Sequence, residues 1–294
     1  MKQSSDLKSG ELFYSLKDDG LPTPEVRAWS NKKYNLIERY ARTFAKSMKN
    51  KWGTLVYLDL YAGAGKARIK NTHRIVSSSP LIVMDKCPEF DKYIFCEADS
   101  EKCNALRQRA NAIRPDANVD IFNEDANVSI EKIMSAVPKA SHRNTVLSFC
   151  FIDPFNLDDF DFQTIEKLSQ LFIDFMVLIP TGMDANRNQK YYFKGKNGKL
   201  DRFLGSDSWR ERWDIERKKV MPVRFEEFVA GEFNRSMIRL GFKDPGIKNC
   251  CPIRSDSRNL LLYRLCVYSR HALGKKFWEI AQEYSNPQME LTFG

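Results

Sequence analysis

Carboxylic acids recur at or near the ends of apolar, strand-like runs between residues 54 and 153 of this chain. In parallel α/β sheets, ligands bind beyond the carboxyl ends of the strands, so we expect these acids along one rim of a sheet. Several carboxylates at one rim favour a ligand that carries positive charge or offers N–H and O–H donors. The acids with this placement are Asp59, Glu97, Asp125 and Asp153.

A short glycine turn follows the first of these acids. Asp59 is followed by Tyr61, Gly63 and Gly65, and the two glycines let the backbone turn sharply and pass close to a ligand. A dinucleotide-binding fingerprint needs a third glycine three residues later, where Arg68 stands. The pattern therefore favours the amino group and sulfonium of S-adenosylmethionine (SAM) over a pyrophosphate. We predict that Asp59, Tyr61, Gly63 and Gly65 contact this cofactor.

Two further acids have distinct predicted roles at the cofactor. Glu97 closes the second strand, where its carboxylate can accept hydrogen bonds from both ribose hydroxyls. It lies 34 residues after Gly63, against the usual spacing of about 20, so we expect a helical insertion between them. Asp125, next to Ala126, either accepts from the adenine amino group or caps the following helix. The sequence leaves both roles of Asp125 open.

The segment Asp153-Pro154-Phe155 follows the most apolar strand-like run. It resembles the Asp/Asn-Pro-Pro-aromatic loop of enzymes that methylate exocyclic amino groups of nucleobases. An acid after so apolar a strand is costly unless a polar partner uses it. A carboxylate and a carbonyl could accept the two N–H bonds of an aromatic amine and aim its nitrogen at the methyl group. Phe155 could stack on an extruded base. One proline stands here where that loop has two, so the substrate stays open.

The elements that must carry these residues alternate between strand and helix. Such alternation predicts a doubly wound parallel sheet. Two adjacent strand-like runs near the C-terminus share a short polar turn, which predicts an antiparallel pair. Together they predict the Rossmann-like α/β fold of class I SAM-dependent methyltransferases, with a seven-stranded, mostly parallel sheet and an antiparallel last strand. The predicted strands are 54–62, 93–98, 119–122, 145–152, 175–179, 247–253 and 260–268.

The chain of 294 residues divides into four predicted parts. Residues 1–28 form a polar, loosely held N-terminal arm. Residues 29–181 form the SAM-binding core, and 182–245 a basic, aromatic helical insertion. Residues 246–294 supply the C-terminal β-hairpin and helix that complete the core.

The net charge of +9 is concentrated in the predicted insertion. Residues 182–224 hold 12 Lys or Arg against 6 Asp or Glu, with aromatic residues between them. This composition favours DNA or RNA with a single-stranded or flipped base, although a solvated basic face is the alternative. The predicted phosphate contacts are Arg187, Lys190, Lys194, Lys196 and Lys199.

Composition also excludes several classes of protein. No apolar run approaches the roughly 20 residues of a membrane span, and the polar start lacks a signal-peptide core. Seven cysteines include no Cys-x-x-Cys pair, and Cys96, Cys150 and Cys266 lie in apolar runs that favour buried, reduced thiols. We therefore expect a cytoplasmic protein. The three histidines are not spaced like ligands of a metal site, so we predict no metal.

A set of short segments, spread over about 250 residues, forms a specific pattern. The segments are Trp29-Ser30 with Lys33 and Tyr40, residues 57–65, Ser79-Pro80-Leu81, residues 125–127, residues 151–155, Leu204-Gly205 with Trp209, Tyr263, Ser269-Arg270-His271, Leu273-Gly274 and Trp278. This set resembles the three-Cys-motif partner proteins, a group of bacterial and phage-associated proteins. The resemblance implies a methyltransferase-like fold and a partner, a three-cysteine protein that looks like a radical-SAM enzyme. Asn156 stands where family members usually have glycine.

These observations lead to one main hypothesis and two alternatives. The main hypothesis is a SAM-dependent methyltransferase that acts on a nucleobase amino group of DNA or RNA. The first alternative is a non-catalytic subunit that binds SAM or a nucleotide and assembles with the three-cysteine partner. The second, a nicotinamide-dependent oxidoreductase, is disfavoured by the missing third glycine and by the antiparallel C-terminal strands.

Overall fold

The computed structural model describes residues 15–180, 198–255 and 259–283. In chain order, the strands are β1 (Glu25–Val26), β2 (Thr54–Asp59), β3 (Lys66–Ile69), β4 (Ile75–Ser77), β5 (Lys92–Cys96), β6 (Val119–Phe122), β7 (Val146–Ile152), β8 (Ile173–Ile179), β9 (Cys251–Arg254) and β10 (Leu261–Tyr268). The α-helices are α1 (Ser30–Met48), α2 (Ser79–Lys86), α3 (Ser100–Ile113), α4 (Ile130–Ala136), α5 (Phe162–Leu168), α6 (Lys199–Leu204), α7 (Trp209–Glu216), α8 (Phe225–Arg239) and α9 (Ala272–Glu283).

Seven strands form the main sheet, in the order β6-β5-β2-β7-β8-β10-β9. The pairs from β6 to β8 are all parallel. Strand β10 runs antiparallel to both of its neighbours and lies between β8 and β9. The predicted Rossmann-like α/β fold, with a seven-stranded sheet and a reversed last strand, is therefore confirmed.

The central strands are apolar because both faces of the sheet are covered. Every residue of β8 is buried, and β7 is buried except at Leu147. One face packs against α1, α2, α3 and α9, whose apolar side chains join a single cluster. The other face packs against α4, α5, α6, α7 and α8 in a second cluster. Burial on both faces explains why these strands show no alternation of polar and apolar residues.

Helix α1 lies along the first of these faces. Its apolar residues recur at helical spacing, and Ile37, Tyr40 and Phe44 are buried within the cluster. Two charged residues of this helix, Lys33 and Glu38, are also buried. Helix α1 therefore brings charge as well as apolar surface to the sheet.

A small second sheet has the strand order β1-β3-β4. Its strands β3 and β4 lie in the chain between the glycine turn and α2. Strands β3 and β4 form an antiparallel hairpin, and β1 pairs with β3 in parallel. Part of the gap in which we expected a helical insertion is therefore a hairpin, followed by the short helix α2. Arg68, at the position of the missing third glycine, lies in strand β3 rather than at a helix start.

Part of the predicted N-terminal arm is bound to the core rather than loosely held. Arg109, buried in α3, donates to both carboxylate oxygens of Asp19 and to the carbonyls of Leu21 and Pro22. The guanidinium also donates to the hydroxyl of Thr23 at 3.0 Å. One buried side chain thus fixes the chain that leads into β1.

The predicted insertion shares its apolar core with the sheet in the part that the structure describes. Phe203 of α6, Trp209 of α7 and Phe233 of α8 are all fully buried in the second cluster. Phe203 and Phe233 pack with ring centroids 5.1 Å apart. Helices α6, α7 and α8 therefore extend one face of the sheet.

The cysteine prediction was wrong at one position. Cys266 of β10 is bonded to Cys250 in a disulfide, rather than being a free thiol. Cys96 and Cys150 are buried free thiols, as predicted.

Within the described ranges, no helix has the length and apolar character needed to span a bilayer.

Candidate cofactor and acceptor site

The glycine turn lies at the C-terminal rim, the edge of the main sheet where the parallel strands end. Gly63 and Gly65 both adopt left-handed backbone angles, with φ of 66° and 80°, which favours glycine at both positions. A Cβ on Gly65 would lie 2.9 Å from the side chain of Leu81 and 3.1 Å from Leu106, so Gly65 is packed tightly. A Cβ on Gly63 would meet nothing within 4 Å. Gly63 therefore faces open space through which a ligand can approach the backbone.

Glu97 lies beside this turn. Its Oε2 accepts the backbone N–H of Gly63 at 2.9 Å, and its Oε1 accepts the N–H of Asp99 at 2.9 Å. Each carboxylate oxygen has a second acceptor site, so Glu97 can still accept two hydroxyl donors. The hydrogen bond from Gly63 brings the acid of the second strand to the glycine turn, and the contact of Glu97 with ribose hydroxyls stays a prediction.

Asp59 ends β2 and is fully buried. It accepts from the hydroxyl of Tyr57 at 3.2 Å, from the backbone N–H of Tyr61 at 3.4 Å and from the side chain of Ser79. Burial, together with the neighbouring charge of Asp153, raises the pKa of Asp59 to about 7 against the lowering effect of these hydrogen bonds. A nearby cation would favour its ionised form.

Asp153 follows β7 and forms an ion pair with Lys33 of α1. The side chains are 18% and 7% exposed, respectively. Burial alone would lower the pKa of Lys33, but the charge and hydrogen bond of Asp153 outweigh it and the net shift is upward. Lys33 is therefore an ammonium at neutral pH. The pair links the first helix to the loop that carries the predicted acceptor residues.

The loop after Asp153 combines a buried and an exposed residue. Pro154 is buried, whereas the side chain of Phe155 is 83% exposed. Asn156 accepts the backbone N–H of Asp158 and completes a capping box with Asp159, which fixes the next turn. An ordered loop thus presents a large aromatic ring to solvent at the C-terminal rim.

Asp125 closes the turn before α4 and does not cap that helix, whose N-cap residue is Ser129. Asp125 is exposed, and its Oδ1 accepts the backbone N–H groups of Asn127 at 2.8 Å and Val128 at 3.3 Å. Its neighbour Ala126 is buried in the second cluster. The carboxylate retains further acceptor capacity, so a contact of Asp125 with adenine stays a prediction.

Three loops at the C-terminal rim are tied together around one carbonyl. The oxygen of Asp159 accepts from the hydroxyl of Tyr61 at 2.6 Å and from Nδ2 of Asn127 at 2.9 Å. Asn127 Oδ1 in turn accepts from the N–H of Asp161 and the hydroxyl of Thr164. Burial, with the charges of Asp125 and Asp159, raises the pKa of Tyr61, so its hydroxyl stays a donor. Tyr61 thus joins the glycine turn to residues 153–161, which carry the predicted acceptor residues and which we call the acceptor loop.

Of the predicted phosphate contacts, the structure describes only Lys199. It begins α6 and forms an ion pair with Asp158, with 31% of its side chain exposed. This pair joins α6 to the acceptor loop and competes with a phosphate for the ammonium. Arg187, Lys190, Lys194 and Lys196 lie outside the described residues.

Sequence reasoning did not assign three residues that the structure places at the C-terminal rim. Lys33 pairs with Asp153, Ser79 donates to Asp59, and Asn127 holds the Asp159 carbonyl. Lys33 had a signal, because a charged residue stood among the apolar positions of α1. Ser79 and Asn127 had none, since hydroxyl and amide side chains are common at helix starts. Within the described chain, no three His, Cys, Asp or Glu side chains are grouped as ligands for a metal.

No family model matches the chain, and no curated protein matches it in sequence. The resemblance to the three-Cys-motif partner family therefore stays a prediction. Among solved structures, the chain is similar to a protein from Legionella pneumophila, with 14% identity and a TM-score of 0.40 over 60% of this chain and 75% of that chain.

Two other similar structures are named as methyltransferases or contain a methyl-donor ligand. Trm1 from Pyrococcus horikoshii, in complex with S-adenosyl-L-methionine, has 10% identity and a TM-score of 0.42, over 83% of this chain and 56% of that chain. The magnesium protoporphyrin IX methyltransferase from Synechocystis, with bound SAH, has 9% identity and a TM-score of 0.41, over 82% of this chain and 84% of that chain. Similarities this weak do not show the activity of this chain.

Proposed function

We propose that this protein is a SAM-dependent methyltransferase that acts on a nucleobase amino group of DNA or RNA. The observation that carries the proposal is the C-terminal rim itself. The glycine turn, the buried Asp59 and Glu97 lie together at this rim, and Glu97 is the acid predicted to bind the ribose. The Asp153-Pro154-Phe155 loop lies beside them.

The residues at the glycine turn fit the parts of SAM. Gly63 offers open space beside its backbone, and Glu97 retains two acceptor sites for the ribose hydroxyls. The buried carboxylate of Asp59 suits a cationic group, because a cation lets it ionise without an uncompensated buried charge. Asp125 is proposed to accept from the adenine amino group with the acceptor capacity left by its two hydrogen bonds in the turn before α4. When bound, SAM supplies an electrophilic methyl group on a sulfonium.

The acceptor loop fits a planar amine. Asp153 offers a carboxylate that is held by Lys33, and the carbonyl of Pro154 is proposed as the second acceptor for the amine's N–H groups. Phe155 presents an exposed ring on which a base can stack, and such stacking is worth roughly 1–3 kcal/mol per base. The nucleic-acid target also draws support from the excess of Lys and Arg in residues 182–224.

Two variants separate cofactor binding from methyl transfer. In isothermal titration calorimetry with SAM, Glu97→Ala is expected to weaken binding by roughly 1–3 kcal/mol, because hydrogen bonds to a charged group are lost. Asp153→Ala is expected to keep SAM binding and to abolish transfer of a labelled methyl group to nucleic acid. DNA, RNA and total protein are supplied in parallel as acceptors. Asp116→Ala, an exposed carboxylate before β6, is the matched control and should change neither readout.

Each result has a distinct meaning. Transfer to protein alone would contradict the nucleic-acid target. Transfer that persists in Asp153→Ala would contradict the proposed role of the acceptor loop. SAM binding without transfer to any acceptor would favour a non-catalytic, SAM-binding subunit of a larger assembly, such as one with the three-cysteine protein that the resemblance implies.

A further inference from the structure

An ion pair at the C-terminal rim joins Lys33 of α1 to Asp153. Lys33 lies in the first turn of α1, and its ammonium binds Oδ2 of Asp153. The ammonium also lies over the ring of Tyr34 at 5.2 Å and the ring of Trp29 at 5.8 Å. Aromatic faces at these distances attract a cation. The side chain is thus held by one carboxylate and two rings.

Aromatic side chains surround this ion pair. Tyr263 of β10 packs on Trp29 with ring centroids 5.0 Å apart, and burial followed by the charge of Asp153 raises the pKa of Tyr263 to about 12. The indole N–H of Trp29 is buried and has no hydrogen-bond partner among the described residues. The titratable and charged groups around Asp153 are Lys33, Tyr34, Asp59, Tyr263 and, beyond Tyr263, Arg27.

A charged Lys33 cannot act as a proton acceptor. Its effect on Asp153 is geometric and electrostatic, since it binds one carboxylate oxygen and neutralises one of two neighbouring acids. Oδ1 of Asp153 makes no hydrogen bond to the described part of the chain and is the oxygen left for a substrate. Without the ammonium, Asp59 and Asp153 would be two carboxylates close together with no paired cation, an arrangement in which one acid binds a proton more readily.

We propose that Lys33 is a positioning residue for the acceptor amine. By binding Oδ2 of Asp153 it aims Oδ1 at an N–H of the target and balances the negative charge of the carboxylate. This inference rests on the proposed function, because it assigns Asp153 to the acceptor. It extends the acceptor site from the loop after β7 to the first turn of α1.

The test compares Lys33→Met, Lys33→Arg and the matched control Lys32→Met, an exposed lysine one residue earlier in the same helix. Initial rates of labelled-methyl transfer give kcat and KM between pH 5.5 and 9, and calorimetry gives SAM affinity. Lys33→Met is expected to lower kcat about 100-fold, the scale of a small misplacement of reacting groups. The acidic limb of its rate profile is expected to move to higher pH, while SAM affinity stays unchanged. Lys33→Arg should restore part of kcat, and Lys32→Met should behave as the wild-type protein.

The possible outcomes distinguish the inference from the function on which it rests. Wild-type kcat and an unmoved pH profile in Lys33→Met would overturn the inference and leave the proposed function intact. Loss of SAM binding together with kcat, and with no change in the pH profile, would also overturn it, because that pattern indicates a purely structural lysine. Absence of transfer by the wild-type protein, with SAM bound, would overturn the proposed function instead.

If Lys33→Met fails to fold, Lys33→Arg and Asp153→Asn keep the test decisive. A positioning role requires that the two substitutions together lower kcat by much less than the product of their separate effects, since both act through the same carboxylate. Multiplicative effects would overturn the inference.

Discussion

The two edges of the main sheet each bury one carboxylate, and the two sites differ in what surrounds it. Asp59 lies at the C-terminal rim. Asp174 lies at the start of β8, at the opposite edge, which we call the N-terminal rim. Burial raises the pKa of Asp59 to about 7 and that of Asp174 to about 6. Burial and the direction of the pKa shift are therefore shared, and neither identifies a ligand site.

The surroundings separate the two acids. Asp174 accepts from the hydroxyl of Tyr40 at 3.0 Å and from Ser269, and the charge of Arg270 lowers its pKa. A Cβ on Gly274 would lie 3.3 Å from Asp174 and 2.6 Å from the Ser269 hydroxyl, so this site is closed. Asp59 instead lies near a second acid and beside a turn with open space. A buried acid at an open, negatively charged edge is the one suited to a cationic ligand.

The largest expected effect concerns the buried carboxyl group of Asp59 at the C-terminal rim. Because the folded protein favours protonated Asp59, its contribution to stability is fully present below pH about 4 and is lost as pH rises through about 7. Asp59→Asn should therefore raise the free energy of unfolding at pH 8, by on the order of 4 kcal/mol, while SAM binding is lost. Urea unfolding at pH 8 and pH 5 measures this, and the gain should shrink at pH 5.

Asp116→Asn, at an exposed acid, serves as the control and should leave the pH dependence of unfolding unaltered. If Asp59→Asn and the wild-type protein show the same pH dependence, Asp59 is ionised in the folded protein without a ligand, and the contrast between the rims fails.

The next effect tests the closed N-terminal rim. Gly274→Ala places a methyl group against Ser269 and Asp174, so the free energy of unfolding should fall by about 1–3 kcal/mol, a usual cost of overpacking. SAM affinity, measured by calorimetry, should stay unchanged because the substitution lies at the opposite edge.

Gly231→Ala in α8 is the matched control for Gly274→Ala. Its Cβ would come no closer than 3.4 Å to Ile247, so alanine should stabilise the helix by up to about 1 kcal/mol. A loss of SAM affinity in Gly274→Ala would show that the two rims are coupled rather than independent.

The smallest expected effect concerns the hydroxyl of Tyr61 at the C-terminal rim. Tyr61→Phe removes the hydrogen bond to the Asp159 carbonyl, and stability should fall by about 0.5–1.5 kcal/mol. The loops would remain joined through Asn127, so methyl transfer should decrease without being abolished. Thermal unfolding and the transfer assay measure both effects. An unchanged rate would mean that the joint between the loops does not orient the acceptor residues.

The sequence predicted the main sheet because its signals are local. Apolar runs such as 145–152 and the two glycines after Asp59 report burial and backbone conformation directly. It did not predict the hairpin β3–β4, whose strands are only four and three residues long. Strand β3 also pairs with β1 from the N-terminal segment. Short strands that pair with distant segments leave little periodicity to read.

The site was predictable in its acids but not in their partners. Each acid followed a strand, so the parallel topology alone placed it at the rim. The pairing of Asp153 with Lys33 joins residues 120 positions apart. The disulfide joins Cys250, just before β9, to Cys266 in the reversed strand β10. Such partners depend on how helices pack on the sheet. No spacing rule in one sequence specifies them.

The reach of one guanidinium has a consequence for the glycine turn. Arg109 donates to the carbonyl of Ala64, the residue between the two glycines, at 2.7 Å, with the same Nη1 that holds Pro22. The curvature of the turn and the seating of the N-terminal segment are thus set by a common donor in α3. A displacement of residues 19–23 that moves this guanidinium is therefore expected to move the backbone of the glycine turn as well, with no direct contact required between the two.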